Sequence, residues 1–585
     1  MSSGTRPRVG INAGVVPPRR LLLLLVGLLL LIVAVSSRTI YLQSAKSQVL
    51  SRYAEGQQQN TQQLPAVRGD ILDRNGQELA VGEEAVTFYA TPKLLENRAG
   101  TALQISEILE LSREEEGLLV DRLTNADKDV GFVYVARQVP REKAEELQDA
   151  ELPGIAWYDE ERRMYPAGAT AGQLIGTVNI DGKGLEGIEM LYDRWLTGTP
   201  GLQVAVSDPT GVPIDVLKLQ RERDGKDVQL TLDLTLQQEA ERVLAKAVKR
   251  FAAKSATAIV MDPKTGEILA MAGVPRVDPA RWSAFPAVAK KNRAITDTYE
   301  PGSTFKVVPI SAALAEGVTK PEDEHLLAPK LKFCDDKDTC TVGESHSRGT
   351  EWFTTKRILV ESSNVGTITL AQRVAQKYIN QGECGKCAVN AWIKRFGFGS
   401  TTGIDFPGES PGIMAEADQW SDVSIGNIPI GQGISVTPIQ LISAYAAIAN
   451  DGVLVKPHLL KRIGNEPPAA HTSRRVLDTT VARTMRNMFS GVVQDDRGTG
   501  KKAKIEGYEV AGKTGTANIA ENGEYIKGRY NSSFVGFVPA KNPQLVTLVV
   551  VNDTTSYGGD AAAPAFEEIT EFALGYLNIP PDGLT

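Results

Sequence analysis

A chain of 585 residues, 23% charged and 42% apolar, has the composition of ordinary globular protein and is too long for one core, so two or more domains are expected. Its net charge is −7 although the first 38 residues hold five arginines and no acid. The rest therefore carries −12, which argues against a nucleic-acid partner.

Residues 21–37 are an uncharged run of mostly Leu, Val and Ile, at the short end of what a membrane helix needs. Arg6, Arg8, Arg19 and Arg20 precede it without an acid, which predicts a cytoplasmic tail over residues 1–20 and an anchor over residues 21–43. A cleaved signal peptide competes, since Ala34-Val35-Ser36 has the small-x-small form of a cleavage site. Residues 44–64 are polar and Gln-rich and read as a stalk, a helix continuing out of the membrane. A first folded module then runs over residues 65–228. Residues 68–76 pair short β-type runs across Asn75-Gly76, a strong hairpin signal. Residues 102–123 have helical spacing with acidic faces. No nucleophile stands beside a base in this half.

The second module covers residues 229–585. A strand-like run at 228–232 and a helical pattern at 235–249 lead into it. Apolar strands at 256–261 and 268–272 flank Lys264-Thr265-Gly266, which reads as the turn of a hairpin. Next comes Tyr299-Glu300-Pro301-Gly302-Ser303-Thr304-Phe305-Lys306. Pro301 and Gly302 make a sharp lead-in to the apolar run 307–315, a buried helix. Ser303 then falls on the first helical turn with Lys306 on the same face. A serine hydroxyl needs a base to take its proton, and a lysine amine serves once burial or a second cation lowers its pKa. An isolated S-x-x-K is more simply a serine cap beside a solvated lysine, so its neighbours decide. Two follow: Ser362-Ser363-Asn364, the only S-x-N in the chain, before an apolar helix at 365–375, and Lys513-Thr514-Gly515-Thr516 on a strand-like stretch. A buried helix at 437–449 stops at Asn450-Asp451-Gly452. Strands at 534–538 and 545–551 and a helix at 565–576 complete an antiparallel sheet flanked by helices.

The four cysteines, Cys334, Cys340, Cys384 and Cys387, fit either disulfides or a zinc site, Cys384 and Cys387 having zinc-knuckle spacing. Disulfides are the favoured reading. Neither pair reads as catalytic, and the excursion at 329–349 that carries Cys334 and Cys340 reads as an insertion away from the three motifs.

The order S-x-x-K, S-x-N, K-T-G is the signature of penicillin-recognising serine enzymes. Together with Arg68-Gly69-Asp70-Ile71-Leu72-Asp73-Arg74-Asn75-Gly76, Arg163-Met164-Tyr165-Pro166, Gly184-Leu185-Glu186-Gly187-Ile188-Glu189, Gly431-Gln432-Gly433-Ile434-Ser435-Val436-Thr437-Pro438 and Ser533-Phe534-Val535-Gly536-Phe537-Val538-Pro539-Ala540, it makes the chain resemble class B penicillin-binding proteins of the division-specific FtsI type. The resemblance runs from the membrane segment to the last helix. It implies an α+β transpeptidase fold behind a β-rich, non-catalytic pedestal of dimerisation-domain type, with one uncleaved transmembrane helix. It implies a D,D-transpeptidase that cross-links peptidoglycan stem peptides through an acyl-enzyme on Ser303, is acylated by β-lactams, and has carboxypeptidase action as a side reaction. Lys306 would be the base, Ser362 a proton relay, and Asn364 a holder of the donor amide. Lys513, Thr514, Gly515 and Thr516 would receive the substrate carboxylate, and backbone N–H groups of Ser303 and Thr516 would form the oxyanion hole. No metal or cofactor is required. The expected partners are an FtsW-like (SEDS) glycosyltransferase and other division proteins. The expected location is the cytoplasmic membrane, catalytic domain outside. Glu300 before Pro301-Gly302 resembles the division type. The alternatives are an elongation enzyme, a β-lactamase or β-lactam sensor sharing the motifs, and a division scaffold.

Overall fold

The computed structural model describes residues 18–44, 59–64, 66–127, 130–207, 213–333, 340–466, 472–521 and 524–582. The chain divides into two compact units.

The first unit holds the anchor candidate. Its apolar run lies in a helix, Pro18–Ser44, of 27 residues, roughly 40 Å long at about 1.5 Å per residue. Among the described residues this is the one helix long and apolar enough to cross a membrane. The stalk expected to continue as a helix does not do so at its end. Gln59–Leu64 is a strand, paired antiparallel with Gly201–Ser207, which pairs in turn with Pro213–Gln220. The polar glutamines satisfy their backbone in a ladder, and the strand that completes it lies over 130 residues away in sequence. Residues 45–58 of the stalk and the tail up to residue 17 lie outside the described residues.

In the second unit, the predicted hairpin forms: Ile71–Leu72 pairs antiparallel with Glu78–Ala90, and Gly76 takes a positive φ at the turn. Glu78–Ala90 also pairs with Val133–Pro140 and Ile155–Met164. The stretch read as helical at 102–123 is two helices, Arg98–Ile108 and Arg113–Thr124. Ser112 breaks the run and starts the second with a full capping box to Glu115. Val86, Phe88, Ile105, Leu119, Leu123 and Leu147 close a small core between these helices and the sheet.

A five-stranded antiparallel sheet organises the rest, in the order Ile268–Val274, Ser255–Met261, Leu545–Thr554, Glu524–Val538, Ala511–Glu521. Both faces are covered, so its strands read as continuous apolar runs. Phe534, Val538, Val549 and Val551 pack toward helices Leu234–Arg250 and Ala563–Tyr576. Val535, Phe537, Leu548 and Val550 point the other way, into the core of helices Val307–Ala315, Pro438–Ala449 and Thr479–Gln494. The period-two alternation assigns each side chain its core. Pro438–Ala449 begins on a Thr437–Gln440 capping box and is buried along its whole length.

Three of the motif stretches, spread over more than 100 residues, meet in one buried ion cluster. Glu189 is fully buried and accepts from Arg68 Nη2 at 2.7 Å and Arg163 Nε at 2.7 Å. Arg68 Nη1 also reaches Asp193 Oδ1, Gly182 O and Thr197 Oγ1 at 2.8–2.9 Å. Glu189→Ala would leave two guanidinium groups without their central counter-charge. A loss of about 3–5 kcal/mol is expected, read as a lowered thermal unfolding midpoint of the full chain; an unchanged midpoint would show that the cluster is not structural.

Candidate active site

Ser303 lies on a tight lead-in to a buried helix. Tyr299 N–H donates to Val436 O and Val436 N–H to Tyr299 O, and Gly302 N–H donates to Gly431 O at 3.1 Å. Held there, Gly302–Lys306 forms a 3-10 turn that continues into Val307–Ala315. An α-helical first turn was expected; in the tighter 3-10 turn, positions three apart eclipse, which stacks Ser303 and Lys306 more directly. Phe305 packs against Phe398, and Tyr445, fully buried, donates to Thr304 O at 2.8 Å. The turn is rigid because its other side chains are core.

Two glycines bring the turn against the strand Ala511–Glu521. Gly302 has φ +53°, and a Cβ there would stand 2.6 Å from Thr516 O. A Cβ on Gly515 would stand 2.3 Å from Ser533 Oγ, 2.8 Å from Thr304 Cγ2 and 2.9 Å from Pro301 O. The two backbones touch, and only glycine allows it. Ser303 is thereby set beside Lys513-Thr514-Gly515-Thr516.

Ser362 and Asn364 occupy a corner between two helices. Thr355–Val360 ends, Ser363 caps Asn364–Asn380 through Gly366 N–H at 2.9 Å, and Ser362 between them is forced to φ +59°. A non-glycine residue held in that region is backbone strain at the point where three motifs converge.

The lysines converge on this corner. Lys306, fully buried, donates to Ser362 O at 2.6 Å, Ser362 Oγ at 3.2 Å and Asn364 Oδ1 at 2.8 Å. Lys513, equally buried, donates to Ser362 Oγ at 2.9 Å and Thr514 O at 3.2 Å. One hydroxyl therefore lies between two amines. Among the described residues no hydrogen bond joins Ser303 to Lys306. Of the strand residues 513–516, only Thr516 is more than marginally exposed; Thr514 Oγ1 shares a hydrogen bond with Thr499 Oγ1 at 2.8 Å. Lys264 lies instead at the hairpin turn between the first two sheet strands, its Nζ on Asn542 Oδ1 at 3.3 Å in solvent.

Burial lowers Lys306 to a pKa of about 7, opposed by the charge of Glu344. Lys513 is pushed well below the usual amine range, first by burial and then by the charge of Lys306. The sequence suggested that burial or a second cation would lower Lys306. The repulsion between the two amines is mutual, and the Glu344 carboxylate opposes its effect at Lys306.

Glu344 was not singled out from the sequence. It follows the hairpin of Lys330–Lys332 and Thr341–Gly343, inside the excursion expected to lie away from the motifs. That expectation is corrected. Glu344 Oε1 accepts from Ser363 Oγ at 2.5 Å, Oε2 accepts from Asn364 N–H at 2.7 Å, and Gly343 O accepts from Asn364 Nδ2 at 3.1 Å. In sequence it stands in a polar Gly/Ser stretch indistinguishable from a solvated turn. Glu300 was noticed only as a family hint; it accepts from Gly433 N–H at 2.8 Å and Tyr525 Oη at 3.1 Å, and burial raises its pKa.

Cys384 and Cys387 form an exposed disulfide at the start of helix Gly385–Arg395, so they are not zinc thiolates. Cys340 is buried and also disulfide-bonded; Cys334 lies outside the described residues.

Known proteins match along almost the whole chain. The family model for the penicillin-binding protein transpeptidase domain matches residues 256–571, and the model for the penicillin-binding protein dimerisation domain matches residues 63–230. The chain is 34% identical over 560 residues, 94% of each chain, to a probable peptidoglycan D,D-transpeptidase, PbpC, of Pseudomonas aeruginosa. It is 33% identical over 556 residues to the peptidoglycan D,D-transpeptidase FtsI of Escherichia coli K12, covering 94% of this chain and 90% of that one. A crystal structure of penicillin-binding protein 3 of Mycobacterium tuberculosis complexed with aztreonam superposes with a TM-score of 0.69 at 28% identity, covering 89% of this chain and 98% of that one. Sequence motifs, site geometry and matched domains coincide: this chain belongs to the class B penicillin-binding proteins, the peptidoglycan D,D-transpeptidases.

Proposed function

We propose that this transpeptidase cross-links stem peptides in the septal wall through an acyl-enzyme on Ser303, and that β-lactams acylate the same oxygen. The observation that carries the reading is the Ser362 hydroxyl shared by two buried amines beside the Ser303 turn. It is a proton path for which the fold alone has no use.

In this reading Lys306, neutral above about pH 7, takes the Ser303 proton. Ser303 Oγ attacks the carbonyl carbon of the penultimate D-alanine. The negative oxygen is met by backbone N–H groups of Ser303 and Thr516, each such donor contributing about 3 kcal/mol in the transition state. D-alanine leaves as an amine, its proton delivered from Lys306 through Ser362, and an ester remains. The amine of a second stem peptide attacks that ester, loses a proton and forms the cross-link, while Ser303 regains its hydrogen. Ala511–Glu521 lies at the edge of the sheet, and its free backbone edge suits an extended peptide. Thr516 presents its hydroxyl to the terminal carboxylate, and Thr514 and Lys513 act from behind it. That carboxylate supplies the counter-charge that lets Lys513 hold a proton. Asn364, its amide oriented by Lys306 and Gly343, fixes the corner and faces the donor amide. Residues 65–228 would serve as the pedestal and 229–585 as the transpeptidase domain, docking an FtsW-like glycosyltransferase and division proteins. Helix Pro18–Ser44 anchors the chain in the cytoplasmic membrane with its N-terminus inside.

A fluorescent penicillin should give one adduct, mapped by mass spectrometry to Ser303; an adduct on Ser362 or Ser363 overturns the assignment. Lys513→Ala should slow second-order acylation at least a hundredfold, about 2.7 kcal/mol, whereas Lys264→Ala should be nearly silent, its charge being exposed. The reverse pattern would place the catalytic strand elsewhere. The septal assignment rests on similarity to FtsI and on Glu300-Pro301-Gly302. A fluorescently tagged full-length chain should gather at mid-cell during constriction; uniform side-wall labelling would make it an elongation enzyme.

A further inference from the structure

We infer that Glu344 is a positioning residue for acylation: from outside the three motifs, its carboxylate clamps the Ser363–Asn364 corner and so sets where the Asn364 amide and the Ser362 hydroxyl meet Lys306. The inference rests on the acyl-enzyme reading above.

A plain alternative is that Glu344 is an acid at a helix N-terminus, favourable there but idle. The geometry shows more than that. Both carboxylate oxygens are engaged on consecutive residues, Oε1 by Ser363 Oγ and Oε2 by Asn364 N–H. The preceding residue of the same arm takes the Asn364 side chain: Gly343 O accepts from Nδ2 at 3.1 Å while Oδ1 accepts from Lys306 at 2.8 Å. The Asn364 amide is thus held at one end by the arm and at the other by the base. The acid is itself fixed. Its side chain is 6% exposed, and Arg348 Nη2 donates to Oε1 at 2.5 Å. Arg348 lies over the ring of buried Phe353 at 4.6 Å and donates to Leu327 O at 3.1 Å, so the counter-ion is anchored in the core. The arm is tied as well: Cys340 is buried and disulfide-bonded, and its carbonyl accepts from Phe333 N–H at 3.0 Å. A solvated loop needs none of these restraints.

The charged groups bearing on Lys306 are Glu344 from the hairpin arm and Lys513 from the sheet-edge strand; Arg348 bears on Glu344. The Glu344 charge favours the protonated amine, so removing it lowers the pH at which Lys306 becomes a base. Arg348 acts with the opposite sign through Glu344.

The test measures second-order acylation of the full-length chain in detergent by fluorescent penicillin, from pH 5 to 9, for wild type, Glu344→Gln, Glu344→Asp and Arg348→Gln. The wild-type rate should fall about tenfold per pH unit below about pH 7. Glu344→Gln should lose at least tenfold on the alkaline plateau and move the acid limb to lower pH. Glu344→Asp, which keeps charge but not reach, should lose plateau rate with the limb in place. Arg348→Gln should move the limb upward, and it carries the test if Glu344→Gln does not fold. A limb unmoved in both charge-changing variants overturns the inference, even where rates fall, since that is what a merely structural carboxylate would give. Mass spectrometry of the wild-type adduct separates the two levels. No adduct on Ser303 removes the acyl-enzyme reading itself, whereas a Ser303 adduct with an unmoved limb removes only the role of Glu344.

Discussion

One hydroxyl between two buried amines is the constraint on which the rest of the site depends. Ser362 Oγ lies 3.2 Å from Lys306 Nζ and 2.9 Å from Lys513 Nζ, and both amines are closed off from water. Neither lysine gains solvation, and two ammonium groups sharing one oxygen repel, so double protonation is disfavoured. Such an arrangement persists only if three separate elements are held where they are. The Ser303 turn is tied by Gly431 and Tyr445, the Ser362 corner by two helix ends and the Glu344 arm, and Lys513 by the ladder of the sheet. The core serves this convergence: a sheet buried on both faces leaves its edge strand no freedom to shift.

Much of this was legible in the sequence because the motifs state chemistry and the flanks state packing. Lys306, Ser362, Asn364 and Lys513, spread over more than 200 residues, share one hydrogen-bonded cluster, and Ser303 stands on the same turn as Lys306. The paired sheet strands were visible as apolar runs, and the Thr437 helix by its cap and its Asn450-Asp451-Gly452 stop. The K-T-G at Lys264 sits on the exposed turn its flanking strands predicted.

What was not legible depends on partners far away in sequence. Gln59–Leu64 has no strand pattern of its own and is a strand because Gly201–Ser207 supplies its ladder. The 3-10 form of the Ser303 turn follows from Gly302 being pinned to Gly431 and pressed on Thr516, none of which a local pattern records. Ser112 could have been read: a serine followed three residues later by Glu115 is a capping box, and periodicity across 102–123 concealed it. Glu344 could not, since a single carboxylate in a polar loop carries no period, and only the fold turns it onto Asn364.

Burial also explains how one residue type performs two tasks here. Lys306 and Lys513 have the same side chain, the same closure from water and a common hydrogen-bond acceptor, yet their environments differ by one carboxylate. Burial lowers Lys306 to a pKa of about 7 and the charge of Glu344 opposes the fall, so a small change of pH or of bound charge changes its protonation. Lys513 is lowered as well, first by burial and then by the charge of Lys306. In the proposed mechanism a substrate carboxylate at Thr516 would favour the protonated form of Lys513, which lies behind it. With Lys513 charged, its repulsion would favour the neutral form of Lys306, the form that in this mechanism accepts the Ser303 proton. Substrate binding and activation of the base would then be coupled through the hydroxyl that both amines share.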